Sequence, residues 1–85
     1  MTFHFSAHAR TELQRRSIPE TQLSAVLAEP EQKVPGHGMV WCYQSRVTLA
    51  EKPYLLRVIV DETKQPPVGV TVYQTSKMDT YWSHA

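Results

Sequence analysis

Arg57 stands in the middle of Tyr54-Leu55-Leu56-Arg57-Val58-Ile59-Val60-Asp61, a run that is otherwise almost wholly apolar. A guanidinium held on a strand can meet a phosphate through two parallel N–H bonds. Side-chain alternation sends Leu55, Arg57 and Ile59 to one side of that strand. In Val68–Gln74 the same rule sends Gly69, Thr71 and Tyr73 to that side, and Leu56, Val58, Val60, Val68, Val70 and Val72 to the other. The first face therefore combines an arginine, a hydroxyl and aromatics. Lys77 follows the last strand, where a loop can carry its ammonium over this face. Trp41, Tyr43, Tyr73, Tyr81 and Trp82 are able to stack bases, at ~1–3 kcal/mol per base. The same rings also fill the sheet faces of ordinary small proteins, and an exposed aromatic face suits a protein partner.

His8, Glu12 and Arg15 fall near one side of a helical wheel, with Arg16 beside the Ala9/Leu13 stripe. Glu12 with Arg16 is a favourable i,i+4 pair worth about 0.2–0.5 kcal/mol, so a helix-surface charge ladder explains these residues. Arg16 reads as a donor that locks the helix to neighbouring elements, with Glu12 as its support. A helix N-terminus disfavours imidazolium, which leaves a neutral His8 able to act as a base. His4 and His8 are four apart, yet Ser6 as a helix cap puts His4 outside the helix, and no Cys/Asp cluster completes a metal site. His37 lies in a turn and His84 near the end of the sequence. Cys42 lacks a partner histidine in a triad arrangement and reads as a small buried hydrophobe. No metal and no cofactor is expected.

These residues need a scaffold, and the pattern changes near Pro30–Gly38. Before it, apolar residues follow helical spacing. Ser6 can cap a helix over roughly 7–16, which stops before Pro19. Pro19 suits the first turn of a second helix, and Ser17 with Glu20 also has capping-box spacing. Leu23, Val26 and Leu27 form its apolar stripe, and Pro30 ends it. After the Pro35-Gly36-His37-Gly38 turn the pattern alternates. Strands are expected at Gln32–Val34, from Met39 to Ser45 or on to Leu49, at Tyr54–Asp61 and at Val68–Gln74, with an Ala50-Glu51-Lys52-Pro53 turn. Short connections favour an antiparallel meander, so the reading is α+β: two N-terminal helices on one face of a three- to four-stranded antiparallel sheet.

Eighty-five residues, 41% hydrophobic and 20% charged, make one globular domain over 1–85 with a single modest core. No apolar run is long enough for a membrane span, and no secretory leader is expected. One cysteine excludes an internal disulfide and fits a cytoplasmic setting. Nine Lys/Arg against eight Asp/Glu give +1, low for a dedicated nucleic-acid binder, so any polyanion site must rest on local clustering.

In order along the chain, Phe5-Ser6-x-His8-Ala9, Arg16-x-Ile18-Pro19-Glu20, Leu27-x-x-Pro30, Leu56-Arg57-Val58 and Thr71-Val72-Tyr73-x-Thr75-Ser76-Lys77 before Tyr81-Trp82 form a recognisable series. The chain resembles a small bacterial domain family similar to the RelE/ParE-type toxins of toxin–antitoxin pairs. Thr80, beside Asp79, stands where that family usually has a basic residue. The resemblance implies a RelE-like ααββββ fold and metal-independent RNA cleavage neutralised by an antitoxin. Such cleavage needs a base for the 2′-hydroxyl, a cation for the phosphorane and an acid for the leaving oxygen. Arg57 and Lys77 would supply the cations by converging over the uncovered face; His8 or Tyr81 would move protons; Tyr73, Thr71, Trp82, Trp41 and Tyr43 would hold RNA. The rival expectation is a non-catalytic module of the same fold binding a protein or peptide, or a ParE-like topoisomerase poison.

Overall fold

The computed structural model describes residues 3–84. Ser6 opens the first helix, α1 (Ala7–Arg15): its hydroxyl accepts from the Ala9 N–H and donates to the Val70 carbonyl, both at 3.1 Å. One side chain thus caps the helix and ties it to the sheet. Ser17 ends α1 in the left-handed region, φ 53°, with its N–H on Gln14 O at 3.2 Å and the Ile18 N–H on Leu13 O at 3.1 Å. That is a Schellman closure, and Ile18 is buried in the core against which Leu13 packs. Ser17 therefore closes α1 and does not cap the next helix. Pro19 precedes α2 (Glu20–Ala28) and accepts the Leu23 N–H at 3.1 Å.

Four strands follow: β2 (Gln32–Pro35), β3 (Val40–Leu49), β4 (Lys52–Asp61) and β5 (Val68–Thr75). They pair antiparallel in sequence order, as the short turns require. The fold is α+β, but among the described residues the sheet has five strands and is mixed. A two-residue strand, β1 (His4–Phe5), precedes α1 and runs parallel to β5, giving the order β1-β5-β4-β3-β2. Two residues are too few for alternation to reveal a strand; β1 exists through the His4 N–H on Pro67 O (2.9 Å) and the Ser6 N–H on Gly69 O (3.0 Å). A single-turn helix, α3 (Met78–Tyr81), follows β5.

The β3–β4 hairpin turns on Ala50 and Glu51 alone, with φ of 51° and 64° and Leu49 paired to Lys52. Two central residues with positive φ match the primed turns that fit strand twist. The expected four-residue turn is thus two residues long, and Lys52 and Pro53 belong to β4. Helices α1 and α2 pack on one sheet face, where Ala9, Ile18, Leu23 and Val26 meet Tyr43, Leu56, Val58, Val60 and Val72.

A β-bulge interrupts the β4–β5 register: Val72 faces Val58 and Thr71 faces Ile59, but Gly69 faces Val60 and Val68 faces Asp61. One extra residue reverses the alternation beyond it. Gly69 lies on the helix side as a result, and Val68 and Val70 leave the core expected of them. The exchange has a steric reason. A Cβ at Gly69 would stand 2.7 Å from the Phe5 ring, which packs onto the core at this point.

Candidate nucleic-acid interface

The sheet face away from α1 and α2 carries Gln32 of β2, Cys42, Gln44 and Arg46 of β3, Leu55, Arg57 and Ile59 of β4, and Thr71 and Tyr73 of β5. Arg57 is directly opposite Gln44 on one side and Tyr73 on the other. Its Nε donates to Gln44 Oε1 at 2.9 Å and its Nη1 to the Tyr73 hydroxyl. The Tyr81 ring centroid is 4.4 Å from the guanidinium carbon and that of Tyr73 5.6 Å, so the cation is stacked as well as hydrogen-bonded. Two of the five guanidinium N–H groups are used in this way.

Gln44 is fully buried and organises the arrangement. Its amide nitrogen donates to Gln32 Oε1 at 2.7 Å and to the Tyr81 carbonyl at 3.1 Å, while its oxygen holds Arg57. Gln32 continues the chain of bonds, donating to Ser83 O at 2.6 Å and accepting from the Ser83 N–H at 2.9 Å. Arg46 sits 4.6 Å from the Trp82 ring centroid and is clamped by Glu31, whose carboxyl it holds at about 2 against an ordinary 4.5. The segment after β5 therefore crosses this face and covers its Gln32–Arg46 end.

Beside it lies a cavity of about 540 Å³, lined by Arg57, Cys42, Ile59, Val40, Tyr73 and Tyr81, with Pro35, Gly36 and His37 along its rim. A planar cation borders a largely apolar hollow there, a combination suited to an anionic group carried on a ring. Cys42 is buried in the floor, where burial raises its thiol pKa against the opposing pull of Arg57. It stays a protonated thiol, not a nucleophile.

Of the residues assigned from sequence, Arg57, Tyr73 and Tyr81 come together, with Thr71 on the same face opposite Ile59. Trp82 lies on this side but against Arg46. Trp41 and Tyr43 do not belong here. On β3 they alternate with Cys42 and Gln44, so both face the helix layer; Tyr43 is buried, and Lys33 lies 5.0 Å from the Trp41 ring centroid and 5.3 Å from that of Tyr43. His8 is exposed on α1, whose core contacts are with the opposite face. Lys77 is exposed in the turn before α3 and is not among the residues that line the cavity beside Arg57. Glu12 pairs mainly with Arg15, at 2.7 Å, and Arg16 at 3.5 Å is secondary; Arg16 reaches across to Gln74 of β5 at 3.2 Å. Sequence reasoning passed over Gln44 and Gln32, and set His37 aside in a turn. Only the two-residue turn, which fixes Gln44 opposite Arg57, would have pointed to the first.

No curated protein and no solved structure matches the chain. Residues 5–74 match the model of a family described as a domain of unknown function, DUF4258. The match spans both helices of the core, the strands that build the cavity and Arg57 itself, and the chain belongs to this family.

Proposed function

We propose that this chain is a RelE-like module that binds single-stranded RNA without cutting it, taking a phosphate at Arg57 and an unstacked base against Tyr73 in the adjoining cavity. The observation that carries this reading is the clamped guanidinium at the cavity edge, oriented by Gln44 and Tyr73 before any ligand arrives. Preorganisation of that kind lowers the entropy lost on binding. The net charge of +1 limits the contact to few phosphates. Cutting would require a base and a second cation beside Arg57, and neither His8 nor Lys77 borders the cavity.

Fluorescence anisotropy with a labelled single-stranded oligonucleotide tests the reading. Arg57→Ala is expected to weaken binding by about tenfold to a hundredfold. Loss of one phosphate contact should also flatten the log–log salt slope by about 0.7. Equal affinity and equal slope in the two proteins would overturn the assignment. The RNA should be recovered intact. One observation favours the nuclease alternative, namely that the His37 imidazole lines the same cavity. Products that vanish in both Arg57→Ala and His37→Ala would establish cleavage and return a toxin neutralised by an antitoxin as the better reading.

A further inference from the structure

The segment after β5 occupies the very face to which RNA is assigned. Tyr81 lies on the guanidinium of Arg57 at 4.4 Å, the position a stacked base would take, and it forms one wall of the cavity. Its attachment combines a few hydrogen bonds with ring contacts, among them the Tyr81 ring edge-on to Tyr73 at 6.4 Å. Gln44 holds the Tyr81 carbonyl, Gln32 exchanges two bonds with Ser83, and Trp82 rests on Arg46. The four residues of α3 have no side-chain cap, and none of them is buried. A single uncapped turn is unstable on its own and is held by what it touches.

The helix-bearing side of the sheet packs without this segment. Among the described residues the helix-side core cluster contains none beyond Val72, and the family match ends at Gln74. Lifting the segment would free the open side of Arg57 and widen the cavity while leaving the helix-bearing face untouched.

We propose that residues 76–84 are a displaceable strap that competes with RNA for Arg57, so that the protein inhibits itself until the strap lifts. This rests on the RNA reading above. A strap closed nine-tenths of the time lowers apparent affinity about tenfold, because only the open fraction binds.

Two measurements on the full-length chain test it. In the wild-type protein, saturating single-stranded RNA should strip the Ser83 N–H, bonded at 2.9 Å to Gln32, of its protection from hydrogen exchange. Trp82→Ala, which removes the Arg46 stack, should expose the same amide without RNA and tighten RNA binding by about tenfold. RNA that binds while the Ser83 amide stays protected would overturn the strap and leave the RNA site standing. So would a Trp82→Ala protein with an exposed amide and unchanged affinity. An exposed amide with no RNA binding in either protein would instead remove the RNA reading, and the competition with it. The wild-type exchange experiment remains decisive where the variant does not fold.

Discussion

Gln44 links the two functions of the open face, orienting Arg57 with its oxygen and holding Gln32 and the Tyr81 carbonyl with its nitrogen. A fully buried amide with all these partners is stabilising only while every one is present. Gln44→Ala would strand the Arg57 Nε–H and the Tyr81 carbonyl, leave Gln32 Oε1 with the Ser83 N–H alone, and open a void. The expected loss is about 2–4 kcal/mol, read from urea denaturation, with weaker RNA binding at temperatures where the variant remains folded. A loss no larger than that of an exposed Gln→Ala control would show that the network carries little stability. Lys33 makes the contrasting case on the other face. Its bond to Glu62 at 2.8 Å raises its pKa, and the same contact lowers that of Glu62, so this ammonium is already neutralised and is no rival to Arg57 as an anion site.

The β3–β4 hairpin carries a correctable strain, because Ala50 and Glu51 both adopt positive φ. Side chains with a Cβ are disfavoured there, whereas Asn-Gly adopts this turn readily. Ala50→Asn with Glu51→Gly should raise stability by about 1 kcal/mol and the thermal midpoint accordingly, without altering RNA affinity. An unchanged or lower midpoint would mean that the turn is not strained. This turn also marks where the sequence stopped being legible. Helical spacing located α1 and α2 to within a residue or two, and alternation located β3, β4 and β5, because each element buries one regular stripe. Pairing was harder to read. Reading Ala50–Pro53 as the whole turn would set Leu49 against Tyr54 and Arg46 against Arg57, two like charges. The actual two-residue turn sets Gln44 there. The bulge was hidden for a similar reason: Val68, Val70 and Val72 alternate perfectly in sequence, and it is Phe5, far away along the chain, that demands a glycine beneath it. The strap was illegible because its contacts join Gln32 and Gln44 to Tyr81 and Ser83 through amide and backbone groups that carry no pattern.

Across the whole molecule the sheet divides two kinds of stabilisation. The helix side is an apolar core, and the open side sets hydrogen bonds and stacked cations around the buried Leu55 and Cys42. Acid should act through the charged groups around both. Glu31 is lowered to about 2 by Arg46, Glu12 is lowered by Arg15, Glu62 by Lys33, and Asp61 by Thr63. A carboxylate with a depressed folded pKa contributes fully above its unfolded value and loses that contribution as pH falls through the folded one. Urea midpoints should therefore hold steady down to about pH 4.5 and decline toward about pH 2, and Glu31→Gln should show a shallower decline over that window. A midpoint indifferent to acid would show that these pairs are too well solvated to matter.

The placement of the tryptophans follows the same division. Trp41 lies under an ammonium on the helix-bearing side and Trp82 under a guanidinium on the opposite side, within the segment that crosses Arg57. The polypeptide thus has a native optical reporter on each surface, so replacing Trp41 with phenylalanine would let emission from the remaining indole follow events at the guanidinium cleft without any attached dye.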